Sequence, residues 1–262
     1  MRKKIVASLA LAVAPLLVPL LAPPLALLPV PALASEVAPD PEPPRVLVNT
    51  ARDPEWHSYR RAYKAARFFE PYLRTRPLIQ AHMQIRPLRP DVPLDGLRVR
   101  IVGETTDVEI AVDEIGRAVL PMLKSAYDED AVLRLNRQKG HYAFSGRYSI
   151  REQADGVYRS ADLRAACAQL IDAQRESGYR FRLLGKHCAG IKFVYRLSGN
   201  PPRVLHRDAG GAQRLLPVSE GQPFEDRTMG LYKVATYRFA DWPADGTVLA
   251  EARPIALGTL YE

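Results

Sequence analysis

From Leu78 onward, apolar residues fall on alternate positions: Ile79, Ala81, Met83 and Ile85 are separated by Gln80, His82, Gln84 and Arg86. A period of two places successive side chains on opposite faces of an extended chain, so this stretch predicts a half-buried strand. The same alternation runs through Leu97 to Ile101 and Val108 to Val112, and further strands are expected over Ala131 to Leu135 and Tyr142 to Ile150. Between them Asp113-Glu114-Ile115-Gly116 signals a turn, Arg117 to Leu120 resumes extended character and Pro121 closes it. The C-terminal part continues in this manner. Extended stretches are expected at Tyr179 to Leu184, Ile191 to Leu197, Arg203 to His206, Leu215-Leu216, Leu231 to Phe239, Val248 to Glu251 and Ile255 to Leu260.

Two segments switch to helical spacing. Asp53 can cap and Pro54 suits a first turn, after which Trp56, Tyr59, Tyr63 and Ala66 share one face of a helix expected to end near Pro71. Aromatic residues at that spacing point to core packing rather than a ligand platform. The second helix opens at Ser160 as its cap, stops at Gly178, and buries Leu163, Cys167, Leu170, Ile171 and Gln174. The expected fold class is therefore α+β: strand-rich, mainly antiparallel sheets with two packed helices. The halves also repeat one order of signals, with Arg100 to Gly103, Asp113, Gly116 and Leu120-Pro121 answered by Arg196 to Gly199, Asp208, Gly211 and Leu216-Pro217 at offsets of 95 to 96 residues. This predicts two similar α-plus-β modules in tandem, over residues 53–155 and 156–262.

The first 34 residues follow a different pattern. Met1-Arg2-Lys3-Lys4 is a positive start, Ile5 to Val30 carries no charge, and Ala32-Leu33-Ala34 is a small-residue exit before Ser35. These features predict a signal peptide over residues 1–34, cleaved between Ala34 and Ser35, with retention as an anchor as the alternative. Six prolines interrupt the apolar run and argue against a continuous spanning helix, and no cysteine near the exit offers a lipid attachment. Residues 35–52, with Pro39, Pro41, Pro43 and Pro44, read as a proline-rich linker. The expected product is a soluble periplasmic or secreted chain with no later membrane span.

Export changes the meaning of the charge and the cysteines. The chain carries a net charge of +8, which falls to +5 without residues 1–34 because Arg2, Lys3 and Lys4 leave with them. The remaining arginines alternate with apolar residues, as on a solvated face, so no nucleic-acid partner is expected; an anionic glycan or lipid, or another envelope protein, is the partner class that export and charge leave. Cys167 and Cys188 are the only cysteines, an even count in an oxidising compartment, and are expected to form a disulfide.

Chemistry is sparse. No G-x-S-x-G elbow, phosphate-binding glycine loop or dinucleotide fingerprint occurs, and His57, His82, His141, His187 and His206 are too far apart for a zinc-peptidase pair. No metal and no cofactor are expected. Asp128-Glu129-Asp130 could offer oxygens to calcium but lacks the spacing and glycine of a calcium loop, and reads as a solvated turn. His187 beside Cys188 would suit a thiol nucleophile, which a disulfide excludes. Asp113-x-x-Gly116-x-x-x-Leu120-Pro121 resembles the strand-turn-strand of small transthyretin-like β-sandwich modules of secreted proteins. The whole chain is similar to uncharacterised exported bacterial proteins built on domains of unknown function, a likeness that implies compartment and no catalytic residues. The expected function is non-enzymatic binding or scaffolding in the envelope. The competing expectation is a glycan or ester hydrolase whose residues are scattered in sequence, with His82, His141 and Asp128 as candidates.

Overall fold

The computed structural model describes residues 53–262; the expected signal peptide, its Ala34/Ser35 junction and the linker lie outside the described residues. In chain order the elements are β1 (Pro54–Ser58), α1 (Tyr59–Leu73), β2 (Ile79–Pro87), β3 (Val99–Val102), β4 (Asp107–Ile110), β5 (Arg117–Ala118), α2 (Lys124–Asp128), β6 (Val132–Gln138) and β7 (Tyr142–Ile150). They continue as β8 (Val157–Arg159), α3 (Ser160–Gln174), β9 (Cys188–Tyr195), β10 (Val204–Arg207), β11 (Gln213–Leu215), β12 (Val218–Gly221), β13 (Tyr232–Arg238), β14 (Thr247–Ala250) and β15 (Ala256–Tyr261).

Every ladder is antiparallel. The strands form four sheets, ordered β1-β6-β3-β4, β5-β2-β7, β8-β14-β10-β11 and β12-β13-β9-β15. The chain is thus strand-rich α+β, as its alternating pattern predicts. One core, with Val99, Ile101, Leu133 and Leu135 from the first sheet and Met83 and Ile85 from the second, fills the space between those two sheets. A second gathers Ile191, Phe193, Val204, Val248 and Leu257 around Leu163, Cys167 and Leu170 of α3, and Ile79 and Ile150 of the first half join it.

The long alternating segments fall where the period places them; the departures are at element ends and in whole short elements, including a third helix, α2, where two were expected. Residues Pro54–Ser58 are a strand paired with β6, not the first turn of a helix. Ser58 caps α1 in place of Asp53, its hydroxyl accepting from Arg61 N at 3.3 Å, and Trp56 is half exposed on the strand. The helix then runs two residues past Pro71. In α3, Ser160 is the first helical residue rather than the cap, and its hydroxyl lies 3.3 Å from His206 Nε2. The expected strand at Tyr179 to Leu184 is instead a pair of helical turns, Arg175–Tyr179 and Arg180–Leu183, broken by Gly178 at φ 99°. Both Asp-x-x-Gly turns form: Gly116 N donates to Asp113 O (2.9 Å) at φ 77°, and Gly211 N to Asp208 O (3.1 Å) at φ 88°. At the offset of 95 to 96 residues β4 falls on β10 and β5 on β11, but the joints differ in kind: β4 and β5 belong to two different sheets, whereas β10 and β11 are neighbours in one.

Cys167 and Cys188 form a disulfide with Cα atoms 6.0 Å apart, tying α3 to the start of β9. In the chain-entropy model a closure over 21 residues contributes roughly 3 kcal/mol.

Candidate functional site

Strands β7 and β15 each end the order of their sheet, so both carry unpaired backbone edges, and they approach one another without forming a ladder. Beside this approach lies a polar cavity of about 660 Å³, walled by the β7 edge, the β15 edge, the end of α3 with its following turns, and the loop from Phe224 to Arg227. That volume is in the range of small-ligand sites. Five cationic side chains line it, Arg86, Arg147, Arg182, Lys186 and Arg227, against two acidic ones, Glu225 and Asp226, an excess of three positive charges.

Arg147 is the best-positioned of the five. Its Nε donates to Gln84 Oε1 at 3.0 Å, and its guanidinium lies 4.0 Å from the centroid of the Phe224 ring. Gln84 is fully buried, and its Nε2 donates to Ile85 O (2.9 Å) and Ile115 O (2.8 Å), which fixes the amide with its oxygen toward Arg147. The register explains the meeting: His82 lies opposite Arg147, Gln84 opposite Ser145, so these side chains share one face of the sheet. Burial holds the Arg147 guanidinium down to about 10, with Asp226 opposing, and it stays cationic at neutral pH. Among the described residues Arg147, Arg182 and Arg227 have no carboxylate within salt-bridge distance, whereas Arg86 meets Asp226 at 3.5 Å and Lys186 meets Glu225 at 3.1 Å. Asp226 is held below its ordinary range, against burial, by hydrogen bonds from the Thr228 backbone and hydroxyl. Guanidinium donors without acidic partners, in a partly desolvated recess, are suited to a carboxylate or phosphate.

A second cavity of about 620 Å³ adjoins the first. It runs between α1, through Ala62, Ala66 and Phe69, and the opposite face of β2 and β7, through Met83 and Phe144, with Val119 to one side. Its lining is mainly apolar, with His57, His82 and Ser145 as polar members and Arg61, Arg67 and Glu70 of α1 also on it. Phe69, Ser145 and Gly146 belong to both cavities. A Cβ at Gly146 would lie 2.3 Å from Phe69 Cε2, so glycine at this position is what lets the phenyl ring lie on the strand.

The histidine and carboxylate candidates are dispersed. His82 is in the middle of β2 with Nε2 unpartnered, and burial, with Arg117, lowers its pKa to about 4. His141 sits in the connection between β6 and β7, and neither it nor Asp128 lines either cavity. The acidic triplet is spent on structure: Lys124 binds Asp128, Arg60 meets Asp130 at 2.7 Å, and Glu129 accepts from the backbone and hydroxyl groups of Thr105 and Thr106. Among the described residues no group of three potential metal ligands occurs. Ser160 and His206, whose polar atoms lie 3.3 Å apart, are both buried, and the His206 ring packs in a cluster with Tyr237 and Trp242, with centroids 5.8 and 5.1 Å away. His187 and Cys188 do not make a nucleophile pair, because Cys188 is in the disulfide.

The basic cavity itself escapes sequence reading, since Arg86, Arg147, Arg182 and Arg227 come from four separate segments with no shared motif. Compared with protein-family models, curated proteins and solved structures, the chain matches none of them.

Proposed function

We propose that this chain is an exported envelope protein that binds an anionic ligand in the cavity between β7 and β15, without chemical turnover. The observation that carries the reading is Arg147: a recessed guanidinium, oriented by a buried glutamine, with no carboxylate at salt-bridge distance among the described residues and with four further cations lining the same cavity. The charged start and small-residue exit of residues 1–34 support export to a periplasm or beyond, and the disulfide is compatible with an oxidising compartment. No helix among the described residues is long and apolar enough to cross a membrane.

The direct test is calorimetric titration with glycerol phosphate, a small anion free of apolar groups. Binding should weaken as ionic strength rises, and Arg147→Gln should reduce affinity at least about tenfold, the loss expected of one charge-assisted contact. Absence of binding by the unsubstituted protein would overturn the reading.

The two halves read as related modules in tandem, and strand order supports this: β1-β6-β3-β4 corresponds to β8-β14-β10-β11, and β5-β2-β7 to β13-β9-β15, each half opening strand, helix, strand. On that reading β7 and β15 are equivalent last strands, and the ligand cavity lies where the module ends meet. The likeness of the Asp113 to Pro121 turn to transthyretin-like modules fits two facing sheets in each half.

A hydrolase is the second reading, favoured by one observation: His82 is neutral at physiological pH with an unpartnered ring nitrogen. Turnover of a generic ester, abolished by His82→Ala, would replace the binding reading with this one.

A further inference from the structure

We infer that the anionic ligand is an acyl lipid, its acidic head in the basic cavity and its chain in the apolar cleft under α1. The inference rests on the basic cavity being an anion site and adds what the rest of the ligand must be. Two recesses of about 660 and 620 Å³, one cationic and one apolar, share Phe69, Ser145 and Gly146 as walls. A ligand filling both needs an anionic end joined directly to an extended hydrocarbon end. A glycan meets the first requirement and matches the second poorly, because Ala62, Ala66, Phe69, Met83, Val119 and Phe144 outweigh the polar groups there, His57 and His82 among them. The phenyl ring of Phe69, lying on Gly146, stands where head and chain would join.

An independent observation points to the same class. Phe181 and Leu184 are 92% and 82% exposed on the turns that follow α3, the most exposed large apolar side chains among the described residues. Arg180, Arg182 and Lys186 are interspersed with them, and Arg182 and Lys186 also line the basic cavity. An exposed phenylalanine and leucine set among cations is the arrangement that inserts into the headgroup layer of an anionic bilayer. The buried Leu183 between them holds the turn to the body of the protein. The mouth of the basic cavity is thereby equipped to meet a lipid surface.

The test compares three probes by calorimetry on the exported protein: oleoyl lysophosphatidate, glycerol phosphate as its head alone, and oleoyl lysophosphatidylcholine as the same chain on a zwitterionic head. Lysophosphatidate should bind at least about a hundredfold tighter than glycerol phosphate, given the apolar area its chain would bury. Filling the cleft with Ala66→Trp should bring that advantage below about tenfold and leave glycerol phosphate affinity unchanged. Ala65→Trp, at an exposed position of the same helix, is the second filler if the first impairs folding. Arg147→Gln should weaken both anionic probes, and lysophosphatidylcholine should bind at least about tenfold more weakly than lysophosphatidate. Equal affinity for lysophosphatidate and glycerol phosphate, a chain advantage undiminished in a folded filler variant, or equal affinity for the two lysolipids would overturn the acyl-lipid inference while leaving an anion site in place. Failure of every probe would remove the anion site and this inference together.

Discussion

His82 is a neutral imidazole enclosed on the polar face of β2, with Arg117 and Arg151 disfavouring its protonation and Glu152 and Asp113 favouring it, burial being the largest influence. Because its folded pKa is about 4, below the ordinary 6.5, the unfolded chain takes up its proton first as pH falls. Stability referable to this group is therefore complete above pH 6.5 and is lost as pH falls toward 4, by at most about 3 kcal/mol. Urea unfolding at neutral and mildly acidic pH should show this loss in the native protein and a smaller one in His82→Gln. Glu129 behaves alike in sign but in a lower window. Hydrogen bonds from the Thr105 backbone and hydroxyl, and from Thr106, depress its carboxyl to about 2 from 4.5. Its clamp on the turn between β3 and β4 is fully present above pH 4.5 and is lost as pH falls through 2. Thermal melting of Glu129→Gln should show a lower midpoint at neutral pH and a flatter acid limb than the native protein. Gly103 belongs to the same clamp, since a Cβ there would lie 2.3 Å from Glu129 Oε2.

Among the elements, legibility follows the length of the periodic signal. β2, β7, β9 and β13 hold seven to nine residues each, and alternation places all four. β1, β8 and β12 are three to five residues long and carry no run of alternating apolar residues such as marks the equally short β3 and β4; they exist because a neighbouring strand supplies the ladder. Asp53-Pro54 carries a valid helix-start signal, overridden by pairing of Pro54–Ser58 with β6. The segment from Tyr179 to Leu184 alternates apolar and basic residues without becoming a strand, because Phe181 and Leu184 find no apolar surface to cover. That failure of the pattern is informative about partners. Phe181→Ser with Leu184→Ser should lower co-sedimentation with phosphatidylglycerol vesicles at least about fivefold, with little change on phosphatidylcholine and no loss of thermal stability, since exposed positions add little to folding.

At the scale of the whole molecule, the candidate site was the least legible feature. The α+β class and the Cys167–Cys188 bond follow from periodicity and cysteine count, but the basic cavity is a product of topology. It requires two sheets to end beside each other, at β7 and β15, and brings together cationic side chains separated by up to 141 positions, from Arg86 to Arg227. Histidines and carboxylates attract notice in a sequence; arginines spread through strands read as solvated faces until the fold gathers them.

The disulfide spans the residues between Cys167 and Cys188, and thus encloses the stretch after α3 that bears Phe181, Leu184 and four cavity residues, Tyr179, Arg182, Leu183 and Lys186. The cavity's mouth is therefore a tethered loop whose tether depends on oxidation. Dithiothreitol treatment, or Cys167→Ala with Cys188→Ala, should accelerate amide exchange over residues 175–187 and weaken glycerol phosphate binding several-fold, while exchange in β2 and β6 stays slow. On the anion-site proposal, a chain with both thiols reduced would hold its ligand poorly, and the formation of this one bond would complete the site.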